Sequence, residues 1–169
     1  LSPASQKDIA FLSLPDDITY LYLPAFKKVR RIASHVKNTK FAGTDFTYED
    51  MEAKRYSEKY IPELLKKDEE HYILQLKPKE GLKTDYSKLI MRVRMDNFYP
   101  TKIEHYDKGK KLYKVMTREK IEKIGKYWVS KESEMDDLQA KHKTKMIIVD
   151  VKFDLELSDQ IFTERYLSR

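Results

Sequence analysis

The sequence predicts a mostly-β protein built on a curved antiparallel sheet with short helical segments. Apolar and polar residues alternate over runs of four to ten positions, and short polar turns join the runs. No segment has the length and period of a long amphipathic helix. Such short connections require antiparallel neighbours, because parallel strands need crossovers of a dozen or more residues. A conservative count gives eight to ten strands.

The first elements are Ile9 to Leu14 and Ile18 to Leu23, read as a hairpin around Pro15-Asp16-Asp17. Both strands are apolar at nearly every position, as expected of a sheet covered on both sides or exposing apolar surface to a ligand. Pro24 ends the second strand, and Val29 to Ala33 forms the next. Thr47 can cap the amide of Asp50 while Asp50 reaches back to the amide of Thr47, so one or two helical turns are expected there. Tyr56 to Leu65 is ambiguous. Tyr60 and Leu64 share a helical face, but Pro62 would break a helix, so a strand with an edge or bulge at Pro62 is preferred.

Glu70 to Lys77 places Tyr72, Leu74 and Leu76 on one face of a strand. Lys88 to Met95 is the clearest alternation: Leu89, Met91, Val93 and Met95 share one side, and only Ile90 interrupts the polar one. Thr101 to Tyr106 and Lys111 to Met116 flank the turn Asp107-Lys108-Gly109-Lys110, where Gly109 can supply a positive φ. A further bend surrounds Gly125. Lys141 to Phe153 reads as one long terminal strand, and Asp159 to Phe162 as a short helical turn.

The length fits one domain with one core. No run of 18 or more apolar residues is present, which excludes a membrane-spanning helix. The opening LSPASQKD lacks an initiator Met and a basic stretch followed by an apolar one, so any secretion signal is expected to have been removed or never present. The absence of Cys excludes disulfides and thiolate metal sites. The formal charge of +6 describes a mixed surface with a modest basic bias, which permits nucleic acid without demanding it.

Signals of catalysis are weak. His35, His71, His105 and His142 each stand without a second ligand three or four residues away, so no metal is expected. His105 shares the apolar side of its strand. The acidic groups at 45–50 and 132–137 are explained by capping, turns and an outward strand face. With only four glycines and no nucleophile elbow, phosphate loop or dinucleotide fingerprint, no catalytic residues and no cofactor are expected. The dense basic run Lys27-Lys28-Val29-Arg30-Arg31 lies near Tyr20, Tyr22 and Phe26. It admits three readings: a nucleic-acid-binding sheet, a solvated strand, or a contact for anionic headgroups or another anionic partner.

The chain has more apolar strand surface than its short helices can cover, so a ligand, a partner or the sheet itself must cover the rest. Candidate ligand-lining residues are Tyr20, Tyr22, Tyr72, Leu74, Leu89, Met91 and Val93. Alternation fixes only their relative sides, so the set belongs to either the concave or the convex face.

The segments Tyr22 to Ile32, Gly43 to Asp50, Tyr127 to Val129, Asp150 to Asp154 and Asp159 to Leu167, with the turn at Tyr106 to Lys110, resemble the outer-membrane lipoprotein-sorting protein family, the LolA-like periplasmic carriers. Pro24, Gly43, Asp45, Phe46, Tyr48 and Asp50 are the signature positions of that resemblance, which spans residues 1–169 as a single domain. It implies a half-open antiparallel β-barrel whose hydrophobic concavity accepts acyl chains, closed on one side by helices. It also implies a non-catalytic binder of lipids or lipoprotein acyl chains in the periplasm or on the extracytoplasmic face of the envelope. An inner-membrane transporter or envelope acceptor would be its partner. Measured against that family, the chain is expected to lack an N-terminal helix and the first strands. A structural assembly module whose apolar face docks another chain is the remaining alternative.

Overall fold

The computed structural model describes residues 7–16, 18–52 and 55–168. Residues 1–6 of the opening segment and Asp17 of the first turn lie outside them. The chain divides into two compact units. One comprises Leu1–Gly43, Thr47–Ala53 and Asp154–Arg169, and the other Thr44–Phe46 and Lys54–Phe153.

In the first unit, β1 (Ala10–Ser13), β2 (Thr19–Leu23) and β3 (Lys28–Arg31) form an antiparallel sheet in that order. The predicted hairpin is present. Leu12, opposite Tyr20, is buried on one face, and Thr19 and Leu21 are buried on the other, as near-continuous apolar strands require. Thr19 Oγ1 donates to Glu52 Oε1 at 3.1 Å, and Lys37 Nζ meets the same oxygen at 2.5 Å. Pro24 ends β2 by opening a 3₁₀ turn, Pro24–Phe26, which closes on Lys27 in the left-handed region.

The short helix α1 (Tyr48–Met51) carries the predicted capping box: Asp50 N donates to Thr47 Oγ1 at 3.2 Å, and Thr47 N donates to Asp50 Oδ2 at 2.9 Å. Phe11, Phe41 and Tyr48 pack as an aromatic trio with centroids 5.5 to 6.4 Å apart. The predicted turn at Asp159–Phe162 is also present.

The second unit begins its main stretch with α2 (Tyr56–Lys59), one turn of helix where a strand was preferred. The strand follows directly as β4 (Tyr60–Lys67). Pro62 is tolerated because β4 is a sheet edge, and the bulge falls at Leu64/Lys66, not at Pro62. An antiparallel meander continues through β5 (His71–Pro78), β6 (Lys88–Arg94), β7 (Pro100–Tyr106), β8 (Leu112–Ile124), β9 (Tyr127–Asp137) and β10 (His142–Ile147). In the β7–β8 turn the positive φ belongs to Lys110, not Gly109. Asp107 stabilises that turn by accepting the Lys111 amide at 2.9 Å.

The expected terminal strand to Phe153 is shorter than its alternation suggested. β10 ends at Ile147, the Ile148 amide makes one further bond to the Lys131 carbonyl at 2.9 Å, and Val149 is 90% exposed.

The expected half-open barrel is not formed. Closure requires the outermost strands of one sheet to bond to each other. Here the strands are divided three and seven, and β4 and β10 are opposite edges of the larger sheet. Between β3 and β4 the chain makes helical turns at Ser34–Val36, Phe41–Gly43, α1 and α2, so the two sheets are not continuous. Neither sheet is closed or strongly curled; the fold is mostly β, with two open antiparallel sheets and short helices.

Candidate functional site

The larger sheet has two chemically distinct faces. Its register sets Tyr72 opposite Val93, Leu74 opposite Met91 and Leu76 opposite Leu89, so the side chains that alternation grouped within single strands meet across them. Leu64 extends the row from β4, and Ile103, Met116 and Met135 carry it across β7, β8 and β9. This face is closed at Ile103 and Met135, which are essentially inaccessible, and it opens toward the β4 edge, where Leu64 is 57% exposed. Beside it, the ring of Phe98, 71% exposed, stacks on Tyr72 at 6.4 Å.

A polar row runs beside the apolar one: His105, Lys114, Asp137 and His142 are successive cross-strand neighbours. His105, which its parity left either buried or lining a pocket, is buried, against the ring of Tyr86 at 4.8 Å. Lys114 is also fully buried. Its ammonium lies over the rings of Tyr86 (5.4 Å) and Tyr113 (5.6 Å) and donates to the carbonyl of Asp45 at 3.4 Å. The buried Asp45 carboxylate accepts from Thr144 Oγ1 at 2.6 Å and lies 2.6 Å from His142 Nδ1. The Asp45 amide donates back to Thr144 Oγ1 at 3.0 Å. These contacts tie Thr44–Phe46 to β10.

Sequence reading did not single out Lys114, and it noted Asp137 only as a member of the acidic group at 132–137. The available signal was parity: Lys114 shares the side of Met116, and Asp137 that of Met135, so each charge stands on an apolar face.

The opposite face is charged and internally neutralised. Lys143 Nζ reaches Glu134 and Asp136, each at 3.1 Å, and Lys145 reaches Glu132 at 2.7 Å. Lys120 also bonds Glu132, and these two lysines hold its carboxyl below the usual range. The carboxylates in turn raise the pKa of Lys143 and of Lys145.

The predicted lining residues are divided between the two sheets. Tyr72, Leu74, Leu89, Met91 and Val93 share the face just described, the last three buried and the first two half-buried. Tyr20 and Tyr22 lie half-buried on β2 in the smaller sheet. Lys27, Lys28, Arg30 and Arg31 are exposed along β3 and the residue before it. A surface depression of about 490 Å³ is lined by Glu69, Glu70, His71, Arg94, Met95, Asp96 and Thr101, a charged wall unsuited to an apolar ligand. Among the described residues, no three His, Cys, Asp or Glu side chains converge as a metal site, and no helix is long and apolar enough to cross a membrane.

These features define a class: an open antiparallel meander with one apolar and one charged face, accompanied by a small second sheet. The profile of a family described as uncharacterized protein-like matches residues 1–169, and the chain belongs to that family. No curated protein matches it. Among solved structures, the chain is similar to a domain of Vibrio parahaemolyticus provisionally described as an outer membrane lipoprotein-sorting protein, with 29% identity and a TM-score of 0.90 over 99% of this chain and 74% of that one. It is similar to a DUF1329 family protein of Desulfovibrio piger, with 28% identity and a TM-score of 0.88 over 98% and 73% of the respective chains. A LolA superfamily protein of Nitrosomonas europaea shares the fold, with 24% identity and a TM-score of 0.66 over 97% and 74%. The chain therefore has structural kinship with lipoprotein-sorting and LolA-superfamily folds at moderate identity.

Proposed function

We propose that this protein is a non-catalytic, extracytoplasmic binder of lipids or lipoproteins, and that it holds acyl chains on the apolar face of the seven-stranded sheet. One observation carries the reading: the row through Met91 and Ile103 continues to the open end at Leu64, Leu74, Tyr72 and Phe98 without interruption by charge. An acyl chain laid there would gain about 0.8 kcal/mol per buried methylene, so a long chain binds without covalent chemistry. The Vibrio relative is described as an outer membrane lipoprotein-sorting protein, which supports a lipoprotein ligand and an extracytoplasmic place of action for this chain. Delivery to or from an inner-membrane transporter or envelope acceptor completes the reading.

Native mass spectrometry of protein purified from its own cells should show co-purifying lipid, and an acylated fluorescent probe should bind with little dependence on salt. Leu74→Asp should weaken probe binding at least tenfold, whereas Lys27→Ala should leave it nearly unchanged. No co-purified lipid together with no exchangeable probe binding would sink the proposal. Equal effects of the two substitutions would remove the assigned face.

A further inference from the structure

The cations of the smaller sheet have no internal explanation. Residues 18–44 contain Lys27, Lys28, Arg30, Arg31, Lys37 and Lys40 but no Asp or Glu, in a chain with 28 acidic residues overall. None of the three strands carries a carboxylate. Lys37 is neutralised by Glu52. Lys27, Lys28, Arg30 and Arg31 are exposed and have no ion-pair partner among the described residues. Four adjacent like charges repel one another, so the arrangement costs stability unless an external anion compensates it.

The register shows what kind of anion fits. Arg31 and Val29 face the side of Tyr20 and Tyr22, whereas Lys28 and Arg30 face the side of Leu21 and Leu23. The cations therefore do not share one face with the tyrosines, as a base-stacking platform would require. They fan to both sides of an edge strand. Phe26, 63% exposed, precedes that strand, and the Arg30 guanidinium lies 6.0 Å from its ring centroid. Cations spread along an edge beside an exposed aromatic ring match the headgroup zone of an anionic bilayer: phosphates meet the charges and the ring enters the interface.

We infer that Lys27, Lys28, Arg30 and Arg31, with Phe26, form a docking edge for an anionic phospholipid surface. The surface bound is that of the membrane, distinct from any cargo, and docking is independent of the acyl-binding face.

The test is sedimentation of the full chain with phosphatidylcholine vesicles made with and without phosphatidylglycerol, across a salt series. Binding is expected only to the anionic vesicles and should fall as salt rises. Replacing all four cations by Ala should lower the partition coefficient several hundredfold, at about fivefold per charge. Exchanging Lys27 and Lys28 for Arg should preserve binding. Lys143→Ala with Lys145→Ala, which removes two paired cations, should leave it intact, and so should Leu74→Asp. Far-UV circular dichroism of each variant confirms folding. Equal binding to neutral vesicles, equal loss in the Lys143/Lys145 variant, or loss in Leu74→Asp would overturn the inference. Tighter binding of a single-stranded oligonucleotide through the same four residues would reassign the edge to nucleic acid, and displacement by millimolar inorganic phosphate would reduce it to a small-anion site.

Discussion

The two sheets treat charge in opposite ways. Along β9 and β10, Glu132, Glu134 and Asp136 meet Lys143 and Lys145 across the ladder, so the surface is neutralised where it is made. Along β3, Lys28, Arg30 and Arg31 stand beside strands with no acid at all. A charge paired within the fold is accounted for by the fold, whereas one left unpaired at an edge points to something outside it.

Three measurements would break or sharpen that contrast. The largest effect is expected from the core of the larger sheet, where Met135→Ala deletes a fully buried side chain and should cost about 2–5 kcal/mol in urea unfolding. A cost below 1 kcal/mol would mean that the face is loosely packed across its whole width, not only at the β4 end.

Acid provides the next test. Lys120 and Lys145 hold the Glu132 carboxyl below its ordinary value, the Glu70 and His71 amides do so for Asp68, and Arg94 does so for Asp96. A carboxylate with a depressed folded pKa contributes stability that is present above its unfolded value, near 4, and is lost as pH falls through the folded one. Hydrogen exchange below pH 4 should therefore loosen β9 and β10 before β1 to β3. The reverse order would show that the cross-strand pairs contribute no stability.

The smallest effect distinguishes the two kinds of cation directly. Lys143→Ala should lower the urea midpoint only slightly, because its ion pairs are solvent-exposed. Arg30→Ala should cost nothing or stabilise slightly, by relieving repulsion along the edge. A loss at Arg30 larger than that at Lys143 would give the basic edge a structural role.

Much of this architecture was legible in the sequence because its causes are local. The alternation of Leu89, Met91 and Val93 set their common face, Thr47 and Asp50 spelled a reciprocal cap, and Pro24 ended its strand. What was not legible depends on distant partners. The strands of both sheets have the same period, so nothing in β3 or β4 announces that they do not pair, and two open sheets stand where the family resemblance implied a half-barrel. Tyr20 and Tyr22 were grouped with Leu74 for the same reason. The burial of Lys114 depends on Asp45, far away in sequence, and on aromatic rings no motif predicts. Leu74 and Leu76 on β5, and Leu89 and Met91 on β6, by contrast, were legible strand by strand, because alternation within each strand sets its own side locally.

The division of the chain also bears on the order in which it can mature during synthesis. The larger unit takes only Thr44–Phe46 and Lys54–Phe153, so all its parts exist once residue 153 has left the ribosome. Its strands pair with their immediate predecessors, which favours rapid closure. The smaller unit is assembled from three stretches, the last being Asp154–Arg169, and must wait until those residues are made. The meander is thus available before the smaller unit, and β1, β2 and β3, made ahead of it, are completed after it.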